Sequence, residues 1–112
     1  MEITFRNRKL EKDLSTTHCM VAIHGKRRAE LIQQRLTEME AAPNLSMLSL
    51  LPGPRCHPLH GQRKGQLSVD LDHPYRLILE PDHNPIPKAP AGGLDTARVT
   101  RVRILEIANT HE

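Results

Sequence analysis

The sequence predicts an α+β fold in which two N-terminal helices pack on one face of an antiparallel sheet. Two observations carry this. Apolar residues recur at helical spacing in the first half of the chain, and at strand spacing in the second. Pro52-Gly53-Pro54 punctuates the change. A strand, then helices, then a run of strands favours helices gathered on one side of a sheet. With 112 residues, the chain is expected to form one domain, 1–112, around one core.

Each element has its own signal. Glu2–Arg6 alternates, with Ile3 and Phe5 on one side, as a short half-buried strand does. Asn7 can cap a short helix over Arg8–Leu14, in which Leu10 and Leu14 stand four apart. Gly25 precedes the strongest helix, Lys26–Ala42. There Ala29, Ile32, Leu36 and Met39 form one stripe, and Arg28, Glu30, Gln34, Glu38 and Glu40 lie mostly off it. Pro43-Asn44 stops that helix, and Leu45–Leu51 reads as a helical turn. Leu67, Val69 and Leu71 then alternate with Gln66, Ser68 and Asp70, which is an antiparallel strand pattern. Asp72-His73-Pro74 is a turn, and Tyr75–Glu80 is the returning strand. Ala97–Ile107 is a third strand whose alternation slips. Val102 and Ile104 share one parity and Leu105 and Ile107 the other, so a bulge or burial on both faces is expected. The loop between these strands, 81–96, holds four prolines and Gly92-Gly93, a length usually tied to function or mobility.

Composition narrows the function. Phe5 and Tyr75 are the only aromatic residues, so the stacking platforms that hold single-stranded bases cannot be built. Nucleic acid, if bound, is bound by charge and hydrogen bonds. Sixteen Lys and Arg against thirteen Asp and Glu give a net charge of +3. The excess sits in residues 1–64, and 55–64 contains no acid. Two cysteines, Cys19 and Cys56, make no disulfide framework. The charged N-terminus lacks a signal peptide, and no apolar stretch is long enough to span a bilayer, so a cytoplasmic protein away from membranes is expected.

The densest polar segment is Arg55-Cys56-His57-Pro58-Leu59-His60-Gly61-Gln62-Arg63-Lys64. Imidazole exchanges protons near neutral pH, and guanidinium matches phosphate oxygens. His57 and His60 beside Arg63, Lys64 and Arg76 would suit phosphodiester chemistry; the alternative is a solvated basic loop. Arg76 interrupts an apolar strand and points away from Leu77 and Leu79. His18-Cys19 and Cys56-His57 lack zinc-site spacing, so no metal is expected. Nothing else resembles a phosphate-cradling loop or a nucleophile elbow.

The run Leu51–Gln66, followed by Tyr75-Arg76-Leu77-Ile78-Leu79-Glu80-Pro81, resembles the central signature of the HigB branch of RelE/ParE toxins, the plasmid-maintenance killer proteins. Arg103–His111 resembles that family's last strand and terminus, and Glu2-Ile3-Thr4-Phe5 its opening. The resemblance implies the toxin of a type II toxin–antitoxin system, an endoribonuclease that cleaves mRNA on the ribosome without a metal or cofactor. It also implies a helix-turn-helix antitoxin partner of the HigA type. In its reaction a ribose 2′-OH attacks the adjacent phosphate. By position, His57, Arg76 and His111 would be catalytic, and Arg55, His60, Arg63 and Lys64 would bind RNA phosphates. His60 stands where the family often has Lys. Asn109 and Thr110 stand where it has an acid and Tyr. Those two departures leave open a ParE-like gyrase poison without nuclease activity, or an inactive partner-binding relative.

Overall fold

The computed structural model describes residues 1–109, so Thr110 and His111 lie outside the described residues. Strand β1 (Glu2–Phe5) leads into four helices: α1 (Arg8–Asp13), α2 (Thr17–His24), α3 (Lys26–Ala41) and α4 (Leu45–Ser49). Strands β2 (His57–Pro58), β3 (Leu67–Asp70), β4 (Tyr75–Pro81) and β5 (Arg101–Asn109) complete a five-stranded sheet of order β1-β5-β4-β3-β2. The α+β class holds. The sheet, however, is mixed, because β1 lies parallel to β5. Only a long crossover can make neighbouring strands parallel, and most of the chain intervenes between these two.

Side-chain caps start the helices. Asn7 accepts from the Leu10 amide, Thr16 from Cys19 and Asn44 from Met47, each satisfying a donor that the helix leaves open. Helix α2 was not expected from the sequence. Its consecutive apolar residues Met20–Ile23 show no stripe, and only Met20 is buried. Helix α3 buries Ala29, Ile32 and Met39, as its spacing predicts, but its fourth buried position is Arg35, and Leu36 is half-buried.

The core lies between the helices and one face of the sheet. Leu14, Met20, Ile32, Met39, Leu45 and Leu48 meet Leu67, Val69, Leu77, Leu79, Val102 and Ile104. The last strand begins later than expected, because Thr96–Arg98 forms a 3₁₀ turn. The expected slip in its alternation is a bulge: Leu79 pairs Ile104 while the adjacent Ile78 pairs Glu106, leaving Leu105 extra. The proline-rich loop is tied at both ends. The Asp82 amide donates to the Arg101 carbonyl, and the Asp95 amide to Pro87. His83 Nε2 accepts from the Thr100 amide at 3.1 Å and from Arg101 at 3.3 Å.

Candidate functional site

The sheet face opposite the helices collects the polar residues. Leu67 and Val69 of β3 point into the core, so the alternation puts Ser68 and Asp70 on the other face. The register then lines up two rows. His57, Ser68, Ile78 and Glu106 stand across β2 to β5, and Asp70, Arg76 and Ala108 across β3 to β5.

His57 is half-buried. Its Nε2 lies 3.3 Å from Ser68 Oγ, and its Nδ1 lies 3.2 Å from the Pro58 carbonyl. A carbonyl only accepts, so Nδ1 carries the hydrogen in that contact. In the neutral ring Nε2 then holds the lone pair and accepts from the Ser68 hydroxyl.

Asp70 is the hub of the second row. Arg55 Nε donates to Oδ2 at 2.7 Å, and Arg76 Nε stands 3.5 Å from Oδ1. The Arg76 side chain is only 10% exposed, against 61% for Arg55. Among the described residues, Asp70 Oδ1 and Arg76 Nη1 are buried without a hydrogen-bond partner. Such groups cost about 1–3 kcal/mol, more when charged, so they mark a place where stability is given up. Arg55 adds to that cost. Its φ of +46° lies in the left-handed region, which disfavours residues with a β-carbon.

The Asp70 backbone is equally constrained. The Leu71 amide donates to the Tyr75 carbonyl on β4, so Asp70 turns its own amide and carbonyl toward β2. Strand β2 has already ended there. The Pro54 carbonyl accepts from the Asp70 amide at 2.8 Å, and Arg35 Nε, reaching across from α3, donates to the Asp70 carbonyl at 2.7 Å. Arg55, Asp70 and Arg76, with Leu71, His73, Pro74 and Tyr75, line a cavity of about 300 Å³.

The sequence-predicted residues divide. Arg55 and Arg76 line that cavity, whereas His57, in the neighbouring row, and Arg63, beside Glu106, do not. Arg63 contacts Gln66 at 3.2 Å and Glu106 at 3.5 Å. His60 and Lys64 do not join the Arg76 cavity. They line a separate one of about 270 Å³, with Leu59, Leu67, Pro81, Ile86, Lys88 and Leu94. The acid-free segment is also less cationic in space than in sequence, because β3 brings Asp70 to Arg55 and β5 brings Glu106 to Arg63. Asp70 and Ser68 were missed as site residues. Their alternation signalled the face, but not the partners.

Cys56 is buried in the core, and burial pushes its thiol up to about 11. Among the described residues, no three of His, Cys, Asp and Glu converge as metal ligands, and no helix is long and apolar enough to cross a membrane.

No family model and no curated protein matches the chain. Solved structures do. A YoeB/ParE toxin from Agrobacterium tumefaciens matches with a TM-score of 0.57 at 12% identity, over 99% of this chain and 100% of its own. The YoeB–YefM complex from Staphylococcus aureus matches with a TM-score of 0.56 at 16% identity, over 100% and 98%. At such identities the likeness establishes a shared fold.

Proposed function

We propose that this chain is the toxin of a type II toxin–antitoxin system and an endoribonuclease of the HigB branch, cutting ribosome-bound mRNA without a metal. The observation that carries the proposal is one sheet face, away from the helices, holding His57 on Ser68 and, in the next row, Arg76 on Asp70, with Arg55 alongside. The fold shared with the YoeB/ParE toxin supports it, and the central signature around His57 and Arg76 points to the branch. A YoeB protein is also found in complex with YefM, in keeping with an antitoxin partner here, which the signature suggests is of the HigA type.

In the proposed reaction the 2′-OH of a nucleotide replaces the Ser68 hydroxyl at His57 Nε2, which takes its proton. The 2′-oxygen forms a bond to phosphorus as the bond to the 5′-oxygen breaks. The leaving oxygen takes a proton from a general acid, the role proposed for His111. The products are a 2′,3′-cyclic phosphate and a 5′-hydroxyl. Arg76, permanently charged and backed by the sheet, stabilises the charge that builds on the phosphorane. Arg63 and Arg55 flank this centre as phosphate contacts; His60 and Lys64, in their separate cavity, would meet more distant nucleotides.

Mapping RNA ends after induction tests this. New cuts inside translated codons are expected, and His57→Ala should lower the cleavage rate by about 10²–10⁴-fold. Arg76→Ala should abolish growth arrest while the protein stays folded. Intact messages together with DNA breaks would identify a gyrase poison instead. Full toxicity in both variants would refute the site.

A further inference from the structure

The cluster on β3 implies more than two phosphate-binding arginines. Asp70 occupies the place on both guanidinium groups that an anion would take. Its Oδ2 accepts from Arg55 Nε, its Oδ1 lies 3.5 Å from Arg76 Nε, and that second contact is too long to satisfy either group. Among the described residues Oδ1 and Arg76 Nη1 have no other partner. The pair is thus built but incompletely satisfied, and it lines a cavity of about 300 Å³.

Only the Asp70 side chain is free to change. Its amide is held by Pro54 and its carbonyl by Arg35, whereas its carboxylate, a quarter exposed, has one short hydrogen bond, from the open side. A phosphodiester offers two acceptor oxygens where the carboxylate satisfies one donor well. We propose that Arg55, Asp70 and Arg76 form an exchange site, in which an RNA backbone phosphate displaces the Asp70 carboxylate and takes both arginines. This rests on the ribonuclease function proposed above and adds a residue to it. Asp70 positions the arginines before RNA arrives and competes with the phosphate for them, which weakens ground-state binding.

The test is RNA binding in the non-cleaving His57→Ala protein, read by anisotropy of a fluorescein-labelled single-stranded RNA 12-mer across a salt series. Asp70→Asn, which keeps the shape and removes the charge, should tighten binding about fivefold and steepen the salt dependence by about one phosphate equivalent. Asp70→Ser should shift affinity in the same direction, which covers failure of the first variant to fold. Glu80→Gln, beside Arg103 on the same face, should change affinity less than twofold. Adding Arg55→Ala should erase the gain. Unchanged or weaker binding without the Asp70 charge, an equal gain from Glu80→Gln, or a gain that survives without Arg55 overturns the exchange alone. No RNA binding by the parent protein overturns the exchange as well, whereas the ribonuclease function stands or falls with the mapping of RNA ends on translated messages.

Discussion

Arg35 reaches from a helix to the backbone of the site, and its removal should be costly for a stated reason. Its side chain is 9% exposed, its Nε donates to the Asp70 carbonyl at 2.7 Å, and its Nη1 donates to Glu38 at 2.8 Å. Arg35→Met keeps most of the buried stem and removes both donors. A buried carbonyl left without its partner costs about 1–3 kcal/mol. The Glu38 pair, one turn along the helix and partly exposed, adds about 0.3–0.5 kcal/mol. The expected loss is about 1.3–3.5 kcal/mol, and at about 4 °C per kcal/mol for a chain of this size the melting temperature should fall by about 5–14 °C. Arg35→Ala also strips buried methylenes, at about 0.8 kcal/mol each, and should melt lower still. Glu38→Gln should cost under about 0.5 kcal/mol. Circular dichroism melts in the His57→Ala background measure all three. An Arg35→Met protein melting within about 2 °C of its parent would refute the claim that Arg35 substitutes for a missing strand at Asp70.

Two further outcomes follow from the titrating groups. Burial works against the Asp72 carboxylate, but hydrogen bonds from Arg28 and its own backbone hold it below its ordinary 3.8; the Thr4 hydroxyl and Arg103 do the same for Asp82. Because the folded values lie below the unfolded ones, this stabilisation is complete above 3.8 and is lost as pH falls through the folded values. Urea melts should therefore weaken below about pH 4, and the double variant Asp72→Asn/Asp82→Asn should flatten that decline; an unchanged acid limb would show that other carboxylates carry it. With its thiol pushed up to about 11 and buried, Cys56 should resist a disulfide reagent at pH 8 until the protein unfolds, while the half-buried Cys19 reacts first. Rapid modification of both in the native protein would contradict this.

How far the sequence reveals this molecule depends on the length scale of each signal. Alternation over 66–71 is long enough to orient β3, and it places Ser68 and Asp70 on the face away from the helices. Asn7 and Asn44 mark helix starts because a cap is a local event. Strand β2 has only two residues, too few to show a period, and its pairing comes from tertiary contact with β3. Helix α2 hides for a related reason: four apolar residues in a row point around the whole circumference. The buried Arg35 stands where Leu36 would be expected, since a pattern of hydrophobicity cannot register that an unpaired carbonyl across the core needs a donor. His57 and Arg76 are legible as chemistry. That Asp70 lies between two arginines requires the register, which brings together residues fifteen and six positions from it.

The bulge at Leu105 decides what the last strand presents to the site. Val102 and Ile104 point into the core. Strict alternation from there would turn Glu106 inward as well, and would expel Ile107. The extra residue reverses the parity, so Ile107 packs against the core and Glu106 comes to lie beside Ile78, where it reaches Arg63. The same reversal sets Ala108 opposite Arg76, a small residue next to the buried guanidinium. Deleting Leu105 would leave Glu106, Ile107 and Ala108 on their present partners, because it is the one residue the register leaves extra. Regular pairing that took Leu105 into the ladder would instead bury a carboxylate, expose an isoleucine and change the neighbour of Arg76 in one step, so with Leu105 present the irregularity in β5 is what keeps Glu106 beside Arg63 and Ala108 opposite Arg76.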